Sequence, residues 1–211
     1  MVKEAKPEKI HRDVTRENYS LLITLTEPML GTVPYNPEVY KKFIESKKPV
    51  STEDSEVETV SQDVLEKAGW TGFHKDEKGL FIYDYMVKGV LKNAADVLKG
   101  DMTGQKQMVE NYVFVFPRRI HLGVKVPSDI LERPLRAMTQ QGPRVTVVRS
   151  DMVAEGTEIK CSIEVLDSVK VSETKLRSLL DYGFYKGLGQ FRNGSYGRFS
   201  YILKKGTRVR A

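Results

Sequence analysis

The segment GLGQFRNGSYGR at residues 187–198 constrains this chain more than any other. It places four glycines, Gly187, Gly189, Gly194 and Gly197, between a helical leucine pattern (Leu176, Leu179, Leu180) and a final strand-like run, Phe199–Leu203. Glycine reaches positive φ at no steric cost and lets a backbone come within hydrogen-bonding distance of a ligand. Free N–H groups in such a loop can cup phosphate oxygens. Lys186, Arg192, Asn193 and Arg198 add charge and polarity, and Phe191 and Tyr196 offer ring faces to bases. A tight helix-to-strand turn that needs its glycines only for geometry fits the same residues.

The pattern upstream of the loop is mixed. Residues 1–18 read as a polar tail, and Tyr19–Thr26 reads as a buried strand ended by Pro28. A turn at Gly31 and Pro34 leads to a short helix through Ile44, then an acidic stretch with a further short helix near Val57–Lys67. Trp70–Tyr85 reads as a hairpin turning at Asp76–Gly79. From Met86 to Leu98 the period becomes helical, with Val87, Val90, Leu91, Ala94 and Leu98 on one face and Lys88 and Lys92 on another. Asn111–Phe116, Ile120–Val126, Val145–Val153 and Glu158–Leu166 read as strands, and 127–144 as a long connection. Ser172 reads as the N-cap of the last helix. This order predicts an α+β domain over 19–211, a ferredoxin-like (RRM-like) split βαβ sheet with an insertion at about 31–80 and an arginine-rich hairpin or thumb at about 118–149. One face of such a sheet is left free for a ligand.

Charge is unevenly placed. Net charge is +6, yet residues 53–66 hold six acidic residues and no basic one, whereas 186–211 hold seven basic residues and no acidic one. Residues 118–149 add Arg118, Arg119, Lys125, Arg133, Arg136, Arg144 and Arg149 against Asp129 and Glu132. A polyanionic partner suits these segments, and arginine suits bidentate phosphate contacts. The single cysteine, Cys161, excludes an internal disulfide and reads as a small hydrophobe in a strand. No apolar run is long enough to span a bilayer, and the charged N-terminus is unlike a signal peptide. The expected location is the cytoplasm, with no membrane and no cofactor.

Beyond its glycines, the loop resembles the C-terminal glycine-rich loop of the RAMP superfamily, the repeat-associated proteins of CRISPR effector complexes, closest to the backbone-type RNA-binding subunits. LLITLTEPMLGT resembles that family's first strand and turn, IYDYMVKGVLKNAADVL its first helix, and RSDMVAEGTEIKCSIEVL the hairpin before the last βαβ. Where the family usually reads proline-glycine-serine-serine before the first helix, this chain has Tyr83-Asp84-Tyr85-Met86. The resemblance implies single-stranded RNA (or DNA) as partner, in an antiviral defence complex or a virus-encoded counterpart, with self-association into a filament. It implies backbone contacts from Lys88, Lys92, Arg118, Arg119, Arg136, Arg144 and the loop at 186–198.

Three readings stay open, a binding protein first among them. Processing enzymes of the RAMP type cut RNA without metal through a histidine, which makes His74 and His121 the candidates for a metal-independent endoribonuclease. Metal-dependent cleavage lacks its acid, since Gly31–Pro37 contains no Asp or Glu, and no P-loop, HExxH or GxSxG is present. A subunit that binds only other proteins is the third. The expectation is a non-enzyme with no metal site.

Overall fold

The computed structural model describes residues 15–35, 69–98, 105–139, 142–166, 170–206 and 209–210. The expected helices at 37–44 and 57–67, the acidic stretch 53–66 and residues 1–14 of the tail lie outside the described residues.

The main sheet is antiparallel. Strand β1 (Thr15–Leu25) lies between β12 (Phe199–Lys205) and β11 (Glu158–Leu166), β11 pairs in turn with β7 (Val113–Phe116), and β13 (Val209–Arg210) pairs the start of β1. Alternation decides which face is buried: Tyr19, Leu21, Ile23 and Leu25 point one way, with Leu21 opposite both Cys161 and Leu203, and Ile23 opposite Ile159. Helices α1 (Asp84–Val97) and α3 (Glu173–Lys186) cover that face, with α2 (Gln105–Tyr112) beside α1. Each fully buried aliphatic side chain in this layer contributes about 1.5–3 kcal/mol over an exposed one. Gly183 permits the closest approach, because a Cβ there would stand 2.6 Å from the Phe199 ring and 3.1 Å from Val90 Cγ1. The molecule is thus α+β, and no helix among the described residues is long and apolar enough to cross a membrane.

Two smaller sheets are built from the intervening segments. Strands β2 (Met29–Leu30), β3 (Val33–Pro34) and β4 (Trp70–Gly72) join β10 (Gly142–Val153), which forms a long antiparallel hairpin with β9 (Asp129–Thr139). Strands β5 (His74–Asp76), β6 (Gly79–Tyr83) and β8 (Arg119–His121) make the third sheet.

Several elements differ from the sequence reading. Strand β1 begins at Thr15, inside the expected tail, because Glu17 is buried and accepts from the Tyr19 hydroxyl at 2.6 Å and from Lys205 at 3.1 Å. The segment expected as a connection at 127–144 contains β9, which tolerates Pro134 because among the described residues it is an edge strand paired only with β10. The expected strand Ile120–Val126 stops at His121. Trp70–Tyr85 divides between two sheets, with only β5 and β6 forming the hairpin. Helix α1 starts at Asp84, and its inner face uses Ala95 in place of Leu98, which is 40% exposed. Ser172 does cap α3, accepting from the Lys175 amide at 3.3 Å.

Candidate nucleic-acid interface

The sheet β5–β6–β8 is two-faced. Leu80, Ile82, Ile120 and Leu122 enter the core, so the alternate residues of the same strands share the opposite face, where Phe81 is only 4% exposed beneath His74, Tyr83, His121 and Arg119. Register sets His74 opposite Phe81, Phe81 opposite His121, and Tyr83 opposite Arg119. The rings touch in sequence. His74 stacks on Phe81 at 5.3 Å, meets Tyr83 edge-on at 4.7 Å, and Tyr83 stacks on Tyr85 at 5.4 Å. The guanidinium of Arg119 lies 5.3 Å over Phe81, and that of Arg118 lies 5.1 Å over Tyr83. The outcome is a continuous ladder of rings edged by two arginines.

Carboxylates hold the cations of this ladder in place. Arg118 reaches Asp84 at 3.0 Å, Arg119 reaches Asp76 at 3.5 Å, and His121 Nε2 stands 3.1 Å from both Asp76 oxygens. Desolvation pushes the Asp76 carboxyl up, but hydrogen bonds from His121 and the Lys78 amide and the nearby cations prevail and hold it below the usual range. Burial, then the charge of Arg119, pushes His74 below the usual histidine range, so it is neutral at pH 7.

The ladder runs into a cleft of about 740 Å³. One wall is His74, Tyr83, Tyr85 and Arg118; another is the exposed side of α1 at Met86, Gly89 and Asn93; the third is Gly189 and Arg192 of the glycine loop. The segment Tyr83–Met86, where the sequence departs from the RAMP pattern, therefore places rings at the cleft. The Arg192 and Arg198 side chains make no hydrogen bond or ion pair with any described residue, and Arg198 Nε is buried without a partner.

The glycine loop itself is built differently from a cup of free amides. The amides of Gly187, Leu188, Gln190, Gly194, Ser195 and Gly197 donate to the carbonyls of Gly183, Gly197, Leu30, Phe191, Arg192 and Pro28, so the expectation that Gly187, Gly194 and Gly197 grip phosphate through their N–H groups is corrected. Gly197 has φ +73, and a Cβ there would stand 1.9 Å from the Leu188 carbonyl oxygen. The glycine requirement at this point is geometric. The Gln190 side chain accepts from the Thr71 hydroxyl at 2.8 Å and lies 3.3 Å from Ser150, tying the loop to β4 and β10. Phe191 and Tyr196 stack on each other at 5.7 Å and Arg133 covers Phe191 at 4.0 Å, so these rings are engaged within the protein. Lys186 donates to Asn193 at 3.2 Å.

Other expected contacts point elsewhere. Lys92 pairs with Glu110 at 2.7 Å and Lys88 donates to the Glu110 carbonyl at 2.9 Å, so both turn to α2 and not to the cleft. Burial, with Lys92 nearby, lowers the Lys88 ammonium, and the hydrogen bond from Lys92 lowers Glu110. The side chains of Arg136 and Arg144 lie outside the described residues. The outward face of the main sheet, expected as the binding platform, carries Ser20, Leu22, Thr24, Lys160, Ser162 and Glu164 on its two central strands, and its rings, Phe114 and Phe116, stand only on the neighbouring strand β7, with Phe116 44% exposed. Cys161 is buried, and burial pushes its thiol up to about 12. The sequence reading omitted Phe81, Tyr83 and Tyr85 as site residues. The first two and His74 alternate along the β5–β6 hairpin, which is the signal that would have grouped them.

No protein family matches the sequence, and no curated protein matches it either. Among solved structures the chain is similar to a chain of the type III-B Cmr-beta complex bound to cognate target RNA, seen by cryo-EM, with 13% identity and a TM-score of 0.47 over 93% of this chain and 61% of that one. This chain thus spans about three fifths of the length of that one.

Proposed function

We propose that this protein binds single-stranded nucleic acid, RNA before DNA, along the ring ladder and through the cleft, as a RAMP-like member of a nucleoprotein assembly. Its main sheet is read as a ferredoxin-like unit, a reading supported by the strand order β12–β1–β11–β7 with two helices on one face. The observation that carries the binding proposal is the alignment of His74, Tyr83 and Tyr85, seated on the buried Phe81, with Arg118 and Arg119, leading to a cleft in which Arg192 has no partner among the described residues. Rings accept bases of any identity, at about 1–3 kcal/mol per stacked base, and guanidinium groups take the phosphates between them. A sequence-tolerant, salt-sensitive binder follows from that chemistry.

Fluorescence anisotropy of a labelled unstructured RNA, titrated across salt, tests it. Each phosphate neutralised on a single strand adds about −0.7 to the slope of log affinity against log salt. Arg192→Ala should flatten the slope by roughly that amount. An unchanged slope, or a protein that purifies free of nucleic acid and binds none at low salt, would leave the protein-only assembly reading in its place.

A metal-independent endoribonuclease is the second reading, favoured by one observation. His121 is held by Asp76 beside Arg119, so an imidazole and a cation share one small pocket with Lys78, apart from the cleft. Labelled RNA incubated with EDTA decides it: cleavage that disappears in His121→Ala makes the protein an enzyme.

A further inference from the structure

A second concavity, of about 470 Å³, lies apart from the cleft and is lined by Tyr35, Trp70, Phe73, Leu80, Pro127 and Lys75, with Asp151 at its base. Phe73 and Lys75 flank His74 on β5, so alternation turns them away from the ladder. The two sites therefore use opposite faces of one strand.

Its polar floor is built with care for one carboxylate. Asp151 is 3% exposed, and it accepts from Trp70 Nε1 at 2.9 Å and from the Tyr35 hydroxyl. Tyr35 and Trp70 meet edge-on at 5.7 Å and 82°, which forms a corner of two ring walls. Gly72 seats the first wall, because a Cβ there would stand 2.3 Å from Tyr35 Cζ. Gly31 packs closely on Gly72, since a Cβ on Gly31 would stand 2.3 Å from the Gly72 carbonyl carbon. A carboxylate has about four acceptor positions on its two oxygens, and two are used here, so the floor can still take a pair of donors.

We infer that this pocket binds a guanine nucleotide. Two ring walls suit a planar base, and a buried carboxylate with acceptor positions remaining suits a base edge that presents two adjacent N–H donors. Guanine alone among the common bases does so, through N1–H and the exocyclic amine. The exposed ammonium of Lys75 at the rim supplies the partner for a phosphate. The volume falls in the range of small-ligand sites, roughly 300–1,000 Å³. The inference stands independently of the cleft, and the guanine nucleotide can arrive either free or as one residue of a strand.

Trp70 is the only tryptophan of the chain, so its emission reports on this pocket directly. The test titrates the full chain with GMP, guanosine, AMP and UMP, and separately with a uridine-rich RNA carrying one guanosine. The expected result is saturable quenching by GMP that AMP and UMP do not reproduce, or, for a strand-borne source, quenching by the guanosine-containing RNA but not by its all-uridine counterpart. Lys75→Ala, at an exposed residue, should weaken GMP roughly tenfold and leave guanosine unchanged. Asp151→Asn should remove the preference for GMP over AMP. Since Asp151 also ties Tyr35 to Trp70, an unfolded Asp151→Asn would leave the Lys75→Ala comparison to decide. Equal quenching by GMP and UMP, or no response to any guanosine-containing probe, overturns the proposal. Arg192→Ala should not alter the GMP titration, so failure here and failure of the cleft are read separately.

Discussion

The glycine loop and the ring ladder meet at one cleft, the loop through Gly189 and Arg192 and the ladder through His74, Tyr83 and Tyr85. The loop is the part that sequence advertises, yet half of its amides donate to carbonyls and Phe191 packs on both Tyr196 and Arg133. The ladder carries no motif, yet His74, Tyr83, Tyr85 and Arg118 line the cleft. A conspicuous glycine pattern here reports the cost of a tight backbone more than the position of a ligand. A strand alternation of His, Phe and Tyr, ordinary in sequence, becomes a surface once three strands are in register.

The comparison breaks most severely at Gly197. Gly197→Ala must escape both φ +73 and the Leu188 carbonyl, so a loss on the order of 3 kcal/mol and a fall in Tm of roughly 10 °C are expected in thermal unfolding. A fully stable alanine variant would return the loop to the role of a ligand-facing loop. Next in size, Tyr83→Ala and Tyr85→Ala should each cost about 1–3 kcal/mol in RNA affinity, while Leu22→Ala on the outward face of the main sheet should change it little. Equal losses at Leu22 and Tyr83 would move the platform back to the main sheet. Lys92→Ala sharpens the same contrast: its partner is Glu110, so the salt slope for RNA should stay as in the parent protein, whereas Arg192→Ala flattens it.

The smallest expected effect concerns pH. His74 in the folded protein titrates below its ordinary value of 6.5, so the unfolded chain binds the proton more readily. Stability is therefore complete above pH 6.5 and declines as pH falls below it, down to the lowered folded value. His74→Gln should flatten the dependence of Tm on pH in that window. The depressed carboxylates Asp76 and Glu110 act in a separate, more acidic window, their contribution being lost as pH falls through their folded values below 4.5. An unaltered profile in His74→Gln would show that the ladder does not desolvate that ring.

Much of the fold was legible because period reports burial. The alternation from Tyr19 to Leu25, the helical spacing from Val87 to Ala94 and the cap at Ser172 each record a local requirement that one face or one N–H group be satisfied. Strand β9 was not legible from its own residues, since Pro134 and its arginines argue against a strand unless it is known to lie at an edge, and a hairpin or thumb was expected only broadly at about 118–149. The candidate site was legible only in pieces. Arg118, Arg119, Arg192, His74 and His121 stood out by type, but Lys88 and Lys92 stood out equally and face Glu110.

By itself, the sequence determined the elements, the faces they bury and the need for glycine at a tight helix-to-strand turn, because these depend on neighbours a few residues apart. Only the tertiary structure decided which cations find carboxylates and which rings line an opening. Those outcomes depend on residues far apart in the chain, such as Asp76 with His121 and Tyr35 with Asp151, whose distance is set by strand register and packing.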